Sequence, residues 1–185
     1  MAEDEIIEAI RVLPNLLPPA SPEAISQAEE AIGHPLPPLL RRLYPEIANG
    51  GFGPRGGILG VAGSEYEHHF EVADILDVDQ STRDDWPGML WLFDWSAGIW
   101  SVMDSRDPAG PMWIWNPMGP YRRPDQISSE EEKSVDHPEL LAQNMTIAEW
   151  LTEWLKGSFA KDFKPSGLRA VAAHRGGLYR PFVLG

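Results

Sequence analysis

One stretch constrains the fold more than any other: MLWLFDWSAGIWSVMDSRDPAGPMWIWNP, residues 89–117. Met89 to Phe93 is an unbroken apolar run, which predicts a central strand. Asp94 to Gly98 carries turn chemistry. Ile99 to Asp104 then alternates, with Ile99, Ser101 and Met103 on one face and Trp100, Val102 and Asp104 on the other. Asp107-Pro108-Ala109-Gly110 reads as a second turn, and Met112 to Trp115 alternates again. Three short strands joined by tight turns make an antiparallel meander.

Helical patterns lie on either side of it. Ile6, Ile7, Ile10 and Leu13 recur at helical spacing among acids that suit a helix N-terminus. Ser21-Pro22 reads as an N-cap and first helical residue, and Gly33 as the stop. Ile25, Ala28, Ala31 and Ile32 form the apolar face between them. Leu39, Leu40, Leu43, Tyr44 and Ile47 predict a third helix, kinked or tightened at Pro45 and ended by Asn49-Gly50-Gly51. Residues 57–62 read as a short buried strand, and 68–78 favour a helix through Phe70, Ala73, Asp74 and Leu76. Residues 79–88 and 117–139 are polar loops. Thr146 with Glu149 is a capping box for a last helix lined by Ile147, Trp150, Leu151, Trp154 and Leu155. Helices, a meander and a closing helix predict an α+β fold: a central antiparallel sheet flanked by N-terminal helices and a C-terminal helix.

The length of 185 residues suits one domain with an arm. We divide it into a single domain over 1–157 and a basic C-terminal extension over 158–185. Charge supports the division. Twenty-eight acids against fifteen bases give −13. From Lys156 onward, six bases face one acid, Asp162, for +5, which leaves −18 on residues 1–155. The extension also holds Leu168, Val171, Leu178, Tyr179, Phe182, Val183 and Leu184, too apolar for a purely flexible tail. It is expected to dock on its own acidic body or on a second subunit, so a homo-oligomer through this extension is one expectation.

Several functions are disfavoured. An acidic chain repels phosphate backbones, so direct nucleic-acid binding is not expected. No cysteine is present, which excludes disulfide scaffolds, thiolate catalysis and thiolate metal sites. The acidic N-terminus lacks the pattern of a signal peptide, and no apolar stretch reaches 18 residues, so no membrane span and a cytoplasmic location are expected. Asn49-Gly50-Gly51 lacks the Gly-Lys-Ser/Thr ending of a phosphate loop. His68 and His69 are adjacent and point apart, and His34, His137 and His174 are scattered, so no metal is expected. Asp94, Asp104 and Asp107 are turn or strand-end residues rather than a convergent acid–base pair. Ser96 sits in D-W-S-A-G and not in G-x-S-x-G, so it is no nucleophile elbow. Six of the eight tryptophans fall between 86 and 115. Trp91 reads as core, and about half of Trp100, Trp113 and Trp115 should be core too. Trp86 and Trp95 lie in a loop and a turn, where tryptophan serves as an interface anchor; carbohydrate stacking is a rival use. Glu65, Glu67, Glu71, Asp74, Asp77, Asp79, Asp84 and Asp85 form an acidic run opposed only by Arg83. Such a run is either a solvated face or an electrostatic landing site.

Two blocks carry a family resemblance. IGHPLPPLLRRLYPEIANGGFGPRGGILGV resembles the opening of the SUKH superfamily, which includes the Smi/Knr-type cell-wall regulators of fungi. The matching residues are Ile32, Gly33, Leu36, Pro37, Leu40, Leu43, Tyr44, Asn49, Gly50, Gly51, Phe52 and Ile58. LFDWSAGIWSVMD resembles the family's strand-turn-strand at Asp94, Trp95, Gly98, Ile99 and Asp104, while Ser96 and Ala97 stand where Gly and Cys are usual. The likeness covers residues 22–156. It implies an α+β domain without cofactor or catalysis, of a kind whose bacterial members are immunity proteins that neutralise a cognate toxin, often a nuclease. On that reading the expected contacts are Glu65, Glu67, Asp84, Asp85, Trp86 and Trp95, facing a basic protein toxin. A regulatory or scaffold module of the same fold is the alternative, and a hydrolytic or carbohydrate-binding protein is a more distant one.

Overall fold

The computed structural model describes residues 1–54, 57–64, 74–76, 86–96, 98–116 and 140–159. Among them are four helices: α1 Glu3–Arg11, α2 Pro22–Ile32, α3 Pro38–Glu46 and α4 Ile147–Leu155. Four strands, β1 Met89–Ser96, β2 Ile99–Asp104, β3 Pro111–Trp115 and β4 Leu140–Thr146, form one antiparallel sheet in that order. The class is α+β, as the sequence pattern implied.

Helix ends follow local chemistry. Ser21 Oγ accepts from the Ala24 N–H at 3.1 Å, and Gly33 closes α2 at φ 77°. Ile25 and Ala28 of α2 are buried, whereas Ala31 faces solvent. Helix α3 runs through Pro45 and ends one residue later, with Ile47 N–H donating to Leu43 O. At α4 both halves of the capping box form: Glu149 N–H donates to Thr146 Oγ1 at 3.3 Å, and Thr146 N–H to Glu149 Oε2 at 2.8 Å. The helices bury Ile6, Ile7, Ile10, Leu39, Leu40, Leu43, Tyr44, Trp150 and Leu151 against Leu90, Leu92, Phe93, Met103, Met112 and Ile114 of the sheet. Full burial of such side chains stabilises by roughly 1.5–3 kcal/mol each, so this interface dominates the fold.

The Asn-Gly-Gly turn does more than end α3. Asn49 Oδ1 accepts from the Val61 N–H at 2.7 Å, its Nδ2 donates to Val61 O and Ala62 O at 3.4 Å, and its own carbonyl accepts from Ser64 Oγ at 2.7 Å. Gly50, at φ 84°, lies so close to the 58–60 backbone that a Cβ would sit 2.5 Å from Gly60 N. Only glycine allows that approach. Tyr44 donates from its buried hydroxyl to Leu59 O at 2.9 Å. Burial and, secondarily, the nearby Asp74 charge push its phenol pKa well above the ordinary value.

Three expectations need correction. Residues 57–62 are buried but form no ladder strand. Among the described residues they bond instead to the Asn49–Phe52 turn, with one parallel bridge from Gly60 to Asp74 and one bond from Leu59 N–H to Leu92 O. Among the described residues β1 is an end strand of the sheet rather than a central one, and Leu59 bonds to its outer edge. Asp74–Leu76 is a bridge and turn, not helix; the rest of 68–78 lies outside the described residues. Finally, β4 was not foreseen. Ala142, Gln143 and Asn144 are weak strand formers, and pairing with β3 overrides their propensity. The loop expected over 117–139 lies outside the described residues.

Candidate functional site

The sheet has two apolar faces, and the helices line one of them. Two irregularities in β1 decide which tryptophan goes where. Its register with β2 slips between Trp91 and Phe93 and again between Asp94 and Ser96, so Leu92 and Trp95 are extra residues. Strict alternation would not place Phe93 and Trp95 beside Leu92 on the helical side; the bulges do. Trp95 is thus 4% exposed. Its ring meets Phe93 at 4.6 Å and Phe159 at 5.8 Å, and its Nε1 donates to buried Ser101 Oγ at 2.8 Å. It belongs to strand β1, not to the turn, and presents almost no surface to a partner.

The opposite face is the candidate site. Asp94, Trp100, Trp115 and Leu140 lie side by side across the four strands, and Trp91, Val102, Trp113 and Ala142 form the next row. Trp91 and Val102 are buried, while Trp100, Trp113 and Trp115 are half-buried above them. Trp91 and Trp115 meet edge to face at 6.1 Å. Trp86 packs against the same group from the loop before β1. Among the described residues no helical side chain joins this cluster. The indole Nε1 atoms of Trp113 and Trp115 are closed to solvent and have no acceptor among the described residues.

The rim is charged but ordered. Arg106 grips Asp104 with both arms, Nε to Oδ1 at 2.8 Å and Nη2 to Oδ2 at 2.7 Å. That ion pair holds the Asp104 carboxyl below its usual range. The Arg106 stem lies against Gly88, where a Cβ would come within 2.7 Å of its Cγ. Ser105 ties the same glycine by two bonds of 2.8 Å to its carbonyl. The Trp86-Pro87-Gly88 loop is thereby clamped to the end of β2.

Acid–base chemistry finds no assembled pair in these aspartates. Asp94 pairs in register with Trp100 and Asp104 with Met89, about 13 Å apart along the strand and beyond the separations glycosidases use. Asp107 serves its own turn, accepting from the Ala109 N–H at 2.9 Å. No group of three metal-ligating side chains occurs among the described residues. No helix there is long and apolar enough to cross a membrane.

Of the six expected contact residues, the structure brings only Trp86 to this face. Trp95 sits on the other side, and Glu65, Glu67, Asp84 and Asp85 lie outside the described residues. Trp100, Trp113 and Trp115 were foreseen on alternating strands but not as one surface. The available signal was that one helical layer covers only one face of a sheet.

Searches among curated proteins and among solved structures each found no match. The model of the SMI1 / KNR4 family (SUKH-1) matches residues 19–154, which span α2 through nearly all of α4. That stretch contains the Asn49 strap, the complete sheet and the aromatic face, and it makes up most of the chain: the protein belongs to the SMI1 / KNR4 family (SUKH-1).

Proposed function

We propose that this chain is a non-catalytic, cytoplasmic immunity protein that binds and neutralises a cognate protein toxin, such as a nuclease. The observation that carries this reading is the tryptophan-lined sheet face, with Trp86 at its rim, in a domain of this family. Tryptophan is enriched at the energetic centres of protein interfaces. The charge of −18 on residues 1–155 favours a basic partner, whose encounter it would accelerate. Glu65, Glu67, Asp84 and Asp85 are assigned as landing charges and Trp86 as an anchor. Trp95 acts from beneath, by holding the β1–β2 hairpin in shape. No cofactor takes part.

Affinity capture from the native host, followed by co-expression of the captured protein, tests the proposal. A toxin should be the main prey, and its growth arrest should be relieved by this chain. Capture of a cell-wall or signalling assembly without any toxin would instead favour the regulatory or scaffold reading, which the same family allows.

A further inference from the structure

The turn that leads into β1 is held by more bonds than a surface turn needs. Met89 N–H donates to Trp86 O at 3.1 Å and closes it. Gly88 O accepts from the Ser105 N–H and from Ser105 Oγ, each at 2.8 Å. Gly88 stands at φ 82°, and a Cβ there would come within 2.7 Å of Arg106 Cγ and 2.8 Å of its Cδ. Only the missing side chain lets the arginine stem lie across the turn. Pro87 is exposed, and its ring fixes its own φ. Trp86 is half-buried and packs against the group of Met89, Trp91 and Val102.

The arginine is immobilised in its turn. Its N–H, Nε and Nη2 donate to the Asp104 carboxylate at 3.0, 2.8 and 2.7 Å. The side chains keep 53% and 18% of their surface exposed, so such a pair adds little to global stability. Holding a long side chain still also costs rotamer entropy. What the pair fixes is the place of the stem and, through Gly88, the place of Trp86 and Pro87. A tryptophan loses few torsions on seating in a partner, so much of the entropy such an anchor still has to lose is that of the backbone carrying it. A turn ordered in advance spares that loss.

We propose that Arg106 and Asp104 are positioning residues for Trp86, holding the 86–88 turn in its partner-bound shape before a partner arrives. The inference rests on the reading of Trp86 as a toxin anchor and adds how that anchor is presented. Freeing the backbone of one residue before binding corresponds to about a tenfold loss of affinity.

The test uses the full-length chain with Arg106→Gln, which keeps the stem carbons but removes the fork. In nitrogen NMR relaxation the Trp86 indole N–H should fall from an order parameter of about 0.85 to below about 0.6. The Val102 amide and the urea midpoint should stay near the parent's. Against the purified toxin captured from the host, dissociation should be about tenfold faster, with association changed less than about twofold. Arg106→Lys, which keeps the charge without the fork, should behave like Arg106→Gln. An indole already mobile in the parent, an indole equally rigid in both variants, unchanged dissociation, or full rescue by lysine would each overturn the inference. Failure of the toxin reading is distinguishable, because the relaxation measurements need no partner and an empty capture strikes that reading directly.

Discussion

Replacing Asn49 with alanine should cost about 1.5–4 kcal/mol of stability. The side chain is 6% exposed and is enclosed by the 58–64 segment. Its Oδ1 is the acceptor for the buried Val61 N–H at 2.7 Å. Removing it strands that donor, at a cost of about 1–3 kcal/mol. The two Nδ2 donations, at 3.4 Å, are long and add about 0.5–1 kcal/mol together. Urea denaturation followed by tryptophan fluorescence would measure the loss as a lower midpoint at unchanged slope. Gly50→Ala should be at least as damaging, since its Cβ would meet backbone rather than a movable side chain. A loss below about 1 kcal/mol for Asn49→Ala would refute the view that this amide straps the segment to α3. Phosphate or nucleotide should leave the melting temperature of the native chain unchanged, because the motif is spent on internal bonds.

Four other outcomes are expected. Trp95→Phe should destabilise by about 1–2 kcal/mol through the lost Ser101 bond, and a double-mutant cycle with Ser101→Ala should be non-additive in the same denaturation assay. Asp104→Asn should cost roughly 0.2–1 kcal/mol at pH 7. Because the folded pKa is lowered, that stabilisation is present above the unfolded value near 3.9 and fades as pH falls below it, so mutant and parent should converge in acid urea titrations. Gln143→Met should raise stability by about 1 kcal/mol, read from thermal melts, since both amide atoms of this 3%-exposed residue lack partners among the described residues. Reversal to lysine at Asp84 and Asp85 should slow association with the captured toxin and flatten its salt dependence in stopped-flow traces.

What the sequence disclosed was local. Ser21, Gly33 and the Thr146–Glu149 pair announce helix ends because capping is short-range chemistry. The alternation of Ile99 to Asp104 and Met112 to Trp115 discloses two strands because side-chain period is a property of one segment. Hidden features depend on partners distant in the chain. Trp95 is buried because a bulge adds one residue between Asp94 and Ser96, which no composition signals. β4 exists because β3 offers it an edge. Asn49 looked like a helix terminus, whereas its side chain answers to Val61, twelve residues on. The site was half legible for the same reason: the tryptophans were countable, but their gathering on one face required the strand register.

The central claim is that this protein acts by occupying its partner rather than by transforming it. Titrating the full-length chain into the captured toxin, with toxin activity as readout, tests that most directly. Activity should fall linearly to zero at one equivalent, with the intact mass of the toxin unchanged. Complete inactivation by a small fraction of an equivalent, or a covalent change in the toxin, would contradict it.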